Sequence, residues 1–102
     1  MDALQLVDEH YEVADAVVTL CVHAGIAASD AICISRLGQY AKGQDHNGAV
    51  ALLTTADVAS GKHLTALLSM KTRAGYGYNP VTADQLKKAV RAMDALLERA
   101  RS

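Results

Sequence analysis

The chain has 102 residues, of which 51% are hydrophobic and 21% are charged, with a formal net charge of -1. That length leaves room for one hydrophobic core, and the proportions are those of a globular domain rather than a disordered chain. The charge argues against a protein that holds nucleic acid by bulk charge, and no uncharged apolar run reaches the roughly 20 residues of a membrane span. Two cysteines and a start without a basic segment give no sign of secretion. We expect a single domain over residues 1–102 in the cytoplasm.

The charge is distributed unevenly along the chain. Residues 1–70 have three basic and eight acidic side chains, whereas residues 71–102 have seven basic and three acidic ones. Attraction between the two parts of a compact fold explains this asymmetry, and a basic face for an anionic partner is the alternative.

One proline, no Phe, no Trp and many Ala and Leu residues favour helices over strands. We predict an all-α fold, an antiparallel up-and-down bundle of four to five helices. A short helix is expected over residues 3–7, followed by a long one over 11–37. Apolar residues recur along one side of the long helix at Val13, Val17, Leu20, Ala24, Ala27, Ala31 and Ile34, and Val18, Val22 and Ile26 widen that side. Such a helix is expected to be central and buried on several sides.

Two glycines bear on the course of the long helix. One indicates a close contact or a break within the helix, and the other indicates where the helix ends. Gly25 costs about 1 kcal/mol relative to Ala inside a helix, so either a packing contact compensates or the helix bends. Gly38 is expected to end the helix in a left-handed conformation.

Three further helices are predicted beyond Gly38. Asp45 is a good N-cap for a short helix over residues 49–53, and a connection is expected over residues 54–60. The next helix extends to Ala74, and residues 76–80 are expected to form a loop. The last helix has the clearest start, because Thr82 and Gln85 match a capping box and Val81 can pack on Leu86.

Polar residues of the long helix, listed here in order, fall within roughly 80° of one another: Glu12, Asp15, Thr19, His23 and Asp30. They either form the solvated edge of a buried helix or line a groove in which His23 titrates near neutrality. No metal site is predicted, since the cysteines have no CxxC spacing and the histidines no HxxxH spacing. Neither a nucleophile motif nor a phosphate loop is present, so no cofactor is expected.

The segment from Lys71 to Tyr78 combines two cations with two tyrosines on a glycine-flanked loop. Lys71 and Arg73 can complement the dipole at a helix C-terminus. Alternatively, with Tyr76 and Tyr78, they can contact phosphates and stack on bases.

Four segments together resemble small HEPN-like proteins of the actinobacterial type: VTLCVHAGIAASDAICISRLG from Val18, GQDHNGAVALL from Gly43, LLSMKTRAGYG from Leu67, and V-T-A-D from Val81. The order and spacing match over about residues 10–100. The resemblance implies a bundle of four or five antiparallel helices, commonly dimeric. Many such proteins are ribonucleases or accessory parts of toxin–antitoxin and defence systems, often paired with a nucleotidyltransferase.

The catalytic signature of HEPN ribonucleases is an Arg followed four to six residues later by a His, and this chain lacks it. Lys71, Arg73 and Tyr76 fall in the region of the family's motif, with a tyrosine in the neighbourhood normally given to the His, and a tyrosine with a pKa near 10 is a poor base. The resemblance therefore implies a binding module with a degenerate catalytic motif, contacting RNA, a nucleotide or a partner protein. The candidate ligand-binding residues are Lys71, Arg73, Tyr76, Tyr78, Asp30 and Asp45.

Two alternatives remain open. A metal-independent endoribonuclease would need folding to assemble a site from distant residues, and its candidate catalytic residues are His23, Arg36 and His46. A purely structural dimerisation protein is the third possibility. The expected partners are a second copy of the chain, a nucleotidyltransferase or antitoxin-like protein, and RNA or a nucleotide, with no membrane.

Overall fold

A computed structural model describes residues 3–41, 45–76 and 81–102, with side chains for 13–41, 45–70 and 81–102. Over these ranges the secondary structure is entirely helical, and the predicted all-α fold is confirmed. The four helices are α1 (Ala3–Leu37), α2 (His46–Ala56), α3 (Val58–Tyr76) and α4 (Ala83–Arg101).

The long helix α1 is continuous from Ala3 to Leu37, so the separate short helix expected over residues 3–7 is wrong. No glycine or proline precedes Gly25, and nothing in the sequence therefore breaks the helix. The helix also continues through Gly25. A Cβ atom there would overlap Leu67 Cδ1 of α3 and lie 3.3 Å from Leu96 Cδ1 of α4. Close packing against these two leucines explains the glycine. Of the two alternatives expected from the sequence, a packing contact or a bend, the packing contact is observed.

A single residue, Asp57, connects α2 and α3, and the connection expected over residues 54–60 is wrong. Thr54 and Thr55 remain helical, and their hydroxyls donate to the carbonyls of Val50 at 2.8 Å and Ala51 at 3.0 Å. A Cβ atom at Gly61 would overlap the Thr54 hydroxyl, so glycine lets α2 fold back closely on α3. The two helices form an antiparallel hairpin.

The predicted helix ends are confirmed at three positions. Gly38 has φ +71°, and its N–H donates to the Ile34 carbonyl at 3.0 Å. Asp45 is the N-cap of α2. Thr82 and Gln85 form the capping box: Gln85 N–H donates to Thr82 Oγ1 at 3.1 Å, and Thr82 N–H donates to Gln85 Oε1 at 2.9 Å. The loop expected over residues 76–80 begins within α3 at Tyr76, and its other positions lie outside the described residues.

The core is built on one face of α1. Val18, Val22 and Ile32 are fully buried there against Leu53, Leu64, Leu67 and Leu96 of the other helices. The opposite face is exposed, and the expectation that α1 is buried on several sides is wrong for Val13, Leu20 and Ile34. The physical reason is that three shorter helices cover only one side of a helix that is 35 residues long.

The segment Val13–Leu37 of α1 is long and apolar enough to cross a membrane, with a mean hydropathy of 1.9. The length and hydropathy of this segment differ from the expectation that no apolar run reaches the length of a membrane span. In the folded chain, 44% of its most apolar window is buried inside the protein.

Candidate functional site

A pocket of about 120 Å³ lies between α1, the first turn of α2 and the middle of α3. Ile26, Ser29, Asp30 and Cys33 of α1 form one wall. The others come from Ala41 and Asp45 before α2, His46 and Ala49 within it, and Leu64 and Leu68 of α3. Three residues predicted from the sequence, Asp30, Asp45 and His46, therefore meet in one pocket.

The polar side chains that line this pocket are Ser29, Asp30, Asp45 and His46. Asp45 Oδ1 accepts the Gly48 N–H at 2.8 Å, which holds the carboxylate at the start of α2. Ser29 Oγ donates to the Gly25 carbonyl at 2.7 Å and keeps its lone pairs. Burial raises the pKa of the Asp30 carboxyl above its ordinary value. A carboxylate that loses water in this way gains from a cation or an N–H donor placed beside it.

The apolar lining of the pocket is formed by Ile26, Ala49, Leu64 and Leu68. Cys33 also lines the pocket as a free, buried thiol, and its pKa is raised first by burial and then by the nearby Asp30. A raised pKa keeps the sulfur protonated and unreactive near neutral pH, as in a structural cysteine. Cys21 is also buried and free, with its pKa raised by burial and by Asp94.

The remaining predicted residues lie elsewhere. His23 is exposed on α1, away from the pocket. Arg36, in the last turn of α1, contacts the α2–α3 connection rather than either histidine candidate. The side chains of Lys71, Arg73 and Tyr76, and all of Tyr78, lie outside the described residues.

The polar stripe predicted on α1 is divided by the fold. Thr19 is exposed and its hydroxyl donates to the Asp15 carbonyl at 2.9 Å, while Asp30 turns into the pocket. Asp15 Oδ1 is buried and has no hydrogen-bond partner within the part of the chain that the structure describes. The side chain of Glu12 lies outside that part. The stripe therefore does not line a single groove.

Sequence reasoning missed a cluster of charges around Asp57, which is buried with 8% of its surface exposed. Arg99 of α4 donates to it with two parallel hydrogen bonds, from Nε to Oδ2 and from Nη2 to Oδ1, both 2.8 Å long. Ser60 Oγ donates to Oδ2, and Arg36 Nη1 of α1 lies 3.5 Å from Oδ1. These bonds, above all those from Arg99, hold the pKa of Asp57 far below its ordinary value.

The Asp57 cluster joins all four helices at one end of the bundle. Asp57 N–H also donates to the Leu53 carbonyl at 2.7 Å, and Arg36 Nη1 donates to the Ala56 carbonyl at 3.4 Å. These contacts all lie within the chain, so the cluster holds the four helices together at this point. The signal that could have suggested it is an aspartate, a good helix-start residue, three positions before Ser60.

Within the described ranges no three His, Cys, Asp or Glu side chains are grouped so that they could hold a metal ion. Comparisons with family models, with curated proteins and with solved structures find no match for this chain.

Proposed function

We propose that this chain is a HEPN-like helical binding module that functions as a homodimer, as a component of a toxin–antitoxin or defence-type pair, without efficient ribonuclease activity. The observation that carries the proposal is an exposed apolar stripe along α1. It supports a role in protein–protein contact, and the missing His after Arg73 supports a role without catalysis.

The α1 stripe consists of seven exposed residues: Val13, Ala16, Leu20, His23, Ala27, Ala31 and Ile34. They follow one another at steps of three or four and fall within roughly 80° around the helix. Its large side chains are strongly exposed, Val13 at 62%, Leu20 at 66% and Ile34 at 51%. A row of apolar residues on the outside of a helix, opposite its core face, is typical of a surface that another helix covers.

The spacing favours a second helix as the occupant of the stripe. Val13, Leu20, Ala27 and Ile34 are each seven residues apart, the repeat that keeps a seam facing a partner helix. Alanines between the large side chains allow two backbones to approach closely. Because the repeat is nearly symmetric about His23, an antiparallel copy places Leu20 opposite Ala27 and Val13 opposite Ile34. Such a self-complementary surface suits a twofold dimer.

The further contact with RNA, a nucleotide or a partner protein depends on Lys71, Arg73, Tyr76 and Tyr78 and remains a prediction. It is supported by the excess of basic side chains in residues 71–102. One of these basic side chains, Arg99, forms a salt bridge with Asp57.

Light scattering tests the dimer. We expect twice the chain mass at micromolar concentration, and the variant Leu20→Glu should raise the dissociation constant at least tenfold, about 1.4 kcal/mol, because it buries charge in the seam. Val58→Glu is the matched control, since Val58 is an exposed apolar residue of α3 outside the stripe. Circular dichroism establishes that both variants remain helical.

A monomer mass at every concentration, or a dimer that Leu20→Glu leaves intact, would contradict the proposal. A monomer mass at every concentration, together with binding of the wild type to phospholipid vesicles, would assign the α1 stripe to a membrane surface instead.

A further inference from the structure

We propose that the pocket between α1, α2 and α3 binds a small organic cation, a protonated amine attached to a single ring or a short alkyl group. This inference is independent of the dimer, because Asp30, Asp45 and His46 lie outside the α1 stripe. It rests on the size of the pocket, its charge and the combination of apolar and acidic residues in its lining.

The size of the pocket limits the ligand. Its volume of about 120 Å³ is close to that of a protein cavity that takes up benzene, about 150 Å³. A nucleotide with its phosphates does not fit in this space, whereas one ring or a chain of a few carbon atoms does. The pocket therefore suits a fragment-sized molecule.

The charge of the pocket determines the sign of the ligand. Asp30 and Asp45 line it together with His46, and its described lining includes neither Lys nor Arg. The nearest arginine on α1, Arg36, is engaged with Asp57. A phosphate or carboxylate ligand would face two like charges, whereas an ammonium group would lie next to carboxylate acceptors.

The composition of the lining determines the kind of ligand. Ile26, Leu64 and Leu68 contribute apolar surface to the pocket, and Asp30 and Asp45 contribute carboxylates. Binding sites for small molecules typically combine such an apolar surface with a few orienting polar groups. An amine with an apolar body suits both kinds of lining residue, because its body displaces water from the leucines while its N–H groups donate to Asp30 and Asp45.

The state of Asp30 agrees with this arrangement. Partial burial disfavours its charged form, which is seen as a raised pKa. A cation bound beside the carboxylate compensates for the lost hydration and restores the charged form. The ligand thus supplies an interaction that favours the ionised acid at this position.

Benzylamine is the probe, with benzyl alcohol and benzoate as neutral and anionic probes of the same ring. We expect a titration followed by amide NMR shifts to displace the signals of residues around Asp30, His46 and Ala49. Benzylamine should bind at least tenfold more tightly than either of the other two compounds, because only the ammonium group pairs with the carboxylates.

Two variants test the site itself. Asp30→Asn removes the charge at constant shape and should weaken benzylamine binding about tenfold, whereas Glu98→Gln, an exposed carboxylate on α4, should leave it unchanged. Ala49→Leu fills the pocket without altering charge and should abolish binding of all three probes.

Equal binding of benzylamine and benzoate, or an Asp30→Asn variant that binds benzylamine as the wild type does, would overturn the proposal. Amide shifts spread over the exposed acidic residues of α4 rather than the pocket would also overturn it, since they would indicate nonspecific attraction of a cation to surface carboxylates.

Discussion

Asp57 is buried and Asp30 is partly buried, yet the pKa values of the two carboxyls are shifted in opposite directions. Asp57 accepts two hydrogen bonds from Arg99 and one from Ser60, and its pKa lies far below the ordinary value. Asp30 lies at the edge of a pocket, and burial raises its pKa. The first carboxylate has its partners within the chain, whereas the second has a cavity beside it.

The difference separates a structural acid from a candidate binding acid. A buried charge that is fully hydrogen-bonded stabilises the fold around it and is unavailable to a ligand. A carboxylate that loses hydration without an equivalent partner reduces stability slightly and is available for binding. The two sites therefore make opposite predictions for stability.

The largest expected effect is at Asp57. Asp57→Ala removes the bidentate pair with Arg99 and the Ser60 bond, and should lower the free energy of unfolding by about 2 kcal/mol, the contribution of hydrogen bonds to charged groups. Urea denaturation measures it. Asp84→Ala is the matched control, because Asp84 is exposed in the first turn of α4, where its pair with Lys88 and its interaction with the helix dipole are together worth less than about 1 kcal/mol. Equal losses in the two variants would show that the Asp57 cluster does not hold the helices together.

The contribution of the Asp57 carboxylate should also be visible in how stability depends on pH in the acid range. The pKa of Asp57 is lower in the folded than in the unfolded chain, so its contribution is fully present above the unfolded value of about 3.9. Below about pH 5, Asp57 takes up a proton more readily in the unfolded chain than in the folded chain. Its contribution to the free energy of unfolding is therefore lost as the pH falls further. Wild-type stability should therefore fall more steeply than that of Asp57→Asn between pH 5 and pH 3, measured by urea midpoints. Parallel pH profiles would disprove the assignment.

The smallest effect is expected at Asp30, with the opposite sign. Its pKa is raised in the folded chain, so at pH values above that pKa the ionised form lowers the free energy of unfolding. This destabilisation disappears as the pH falls. Asp30→Asn should leave the free energy of unfolding at pH 7 unchanged or raise it within about 0.5 kcal/mol. Thermal melts at neutral pH decide the sign. A clear loss of stability would place Asp30 with Asp57 among the structural acids and remove the contrast between them.

Local signals in the sequence predicted much of the fold. The capping box at Thr82, the N-cap at Asp45 and the left-handed Gly38 each involve residues within four positions of one another, and all three are present. Interactions of this range depend on the sequence alone. The all-α class follows from composition for the same reason.

Contacts between distant residues could not be predicted in this way. Arg99 and Asp57 are 42 positions apart, and only the packing of α4 against the α2–α3 corner brings them together. The outer face of α1 illustrates the same limit, because the apolar pattern of Leu20 and Ile34 does not show whether another helix covers them. The pocket was predicted as separate residues, Asp30, Asp45 and His46, and their meeting requires the return of the chain after Gly38.

Gly25 has a consequence for how substitutions in the core combine. Leu67 of α3 and Leu96 of α4 meet over this glycine, and the space there accommodates two side chains but not a third. One volume is thus shared by three positions that are far apart in sequence. A methyl group gained at one of them has to be given up at another, so the free energies of substitutions at Gly25, Leu67 and Leu96 are coupled rather than additive. The three helices are bound together by a common limit on volume, and this part of the core can change only by concerted replacement.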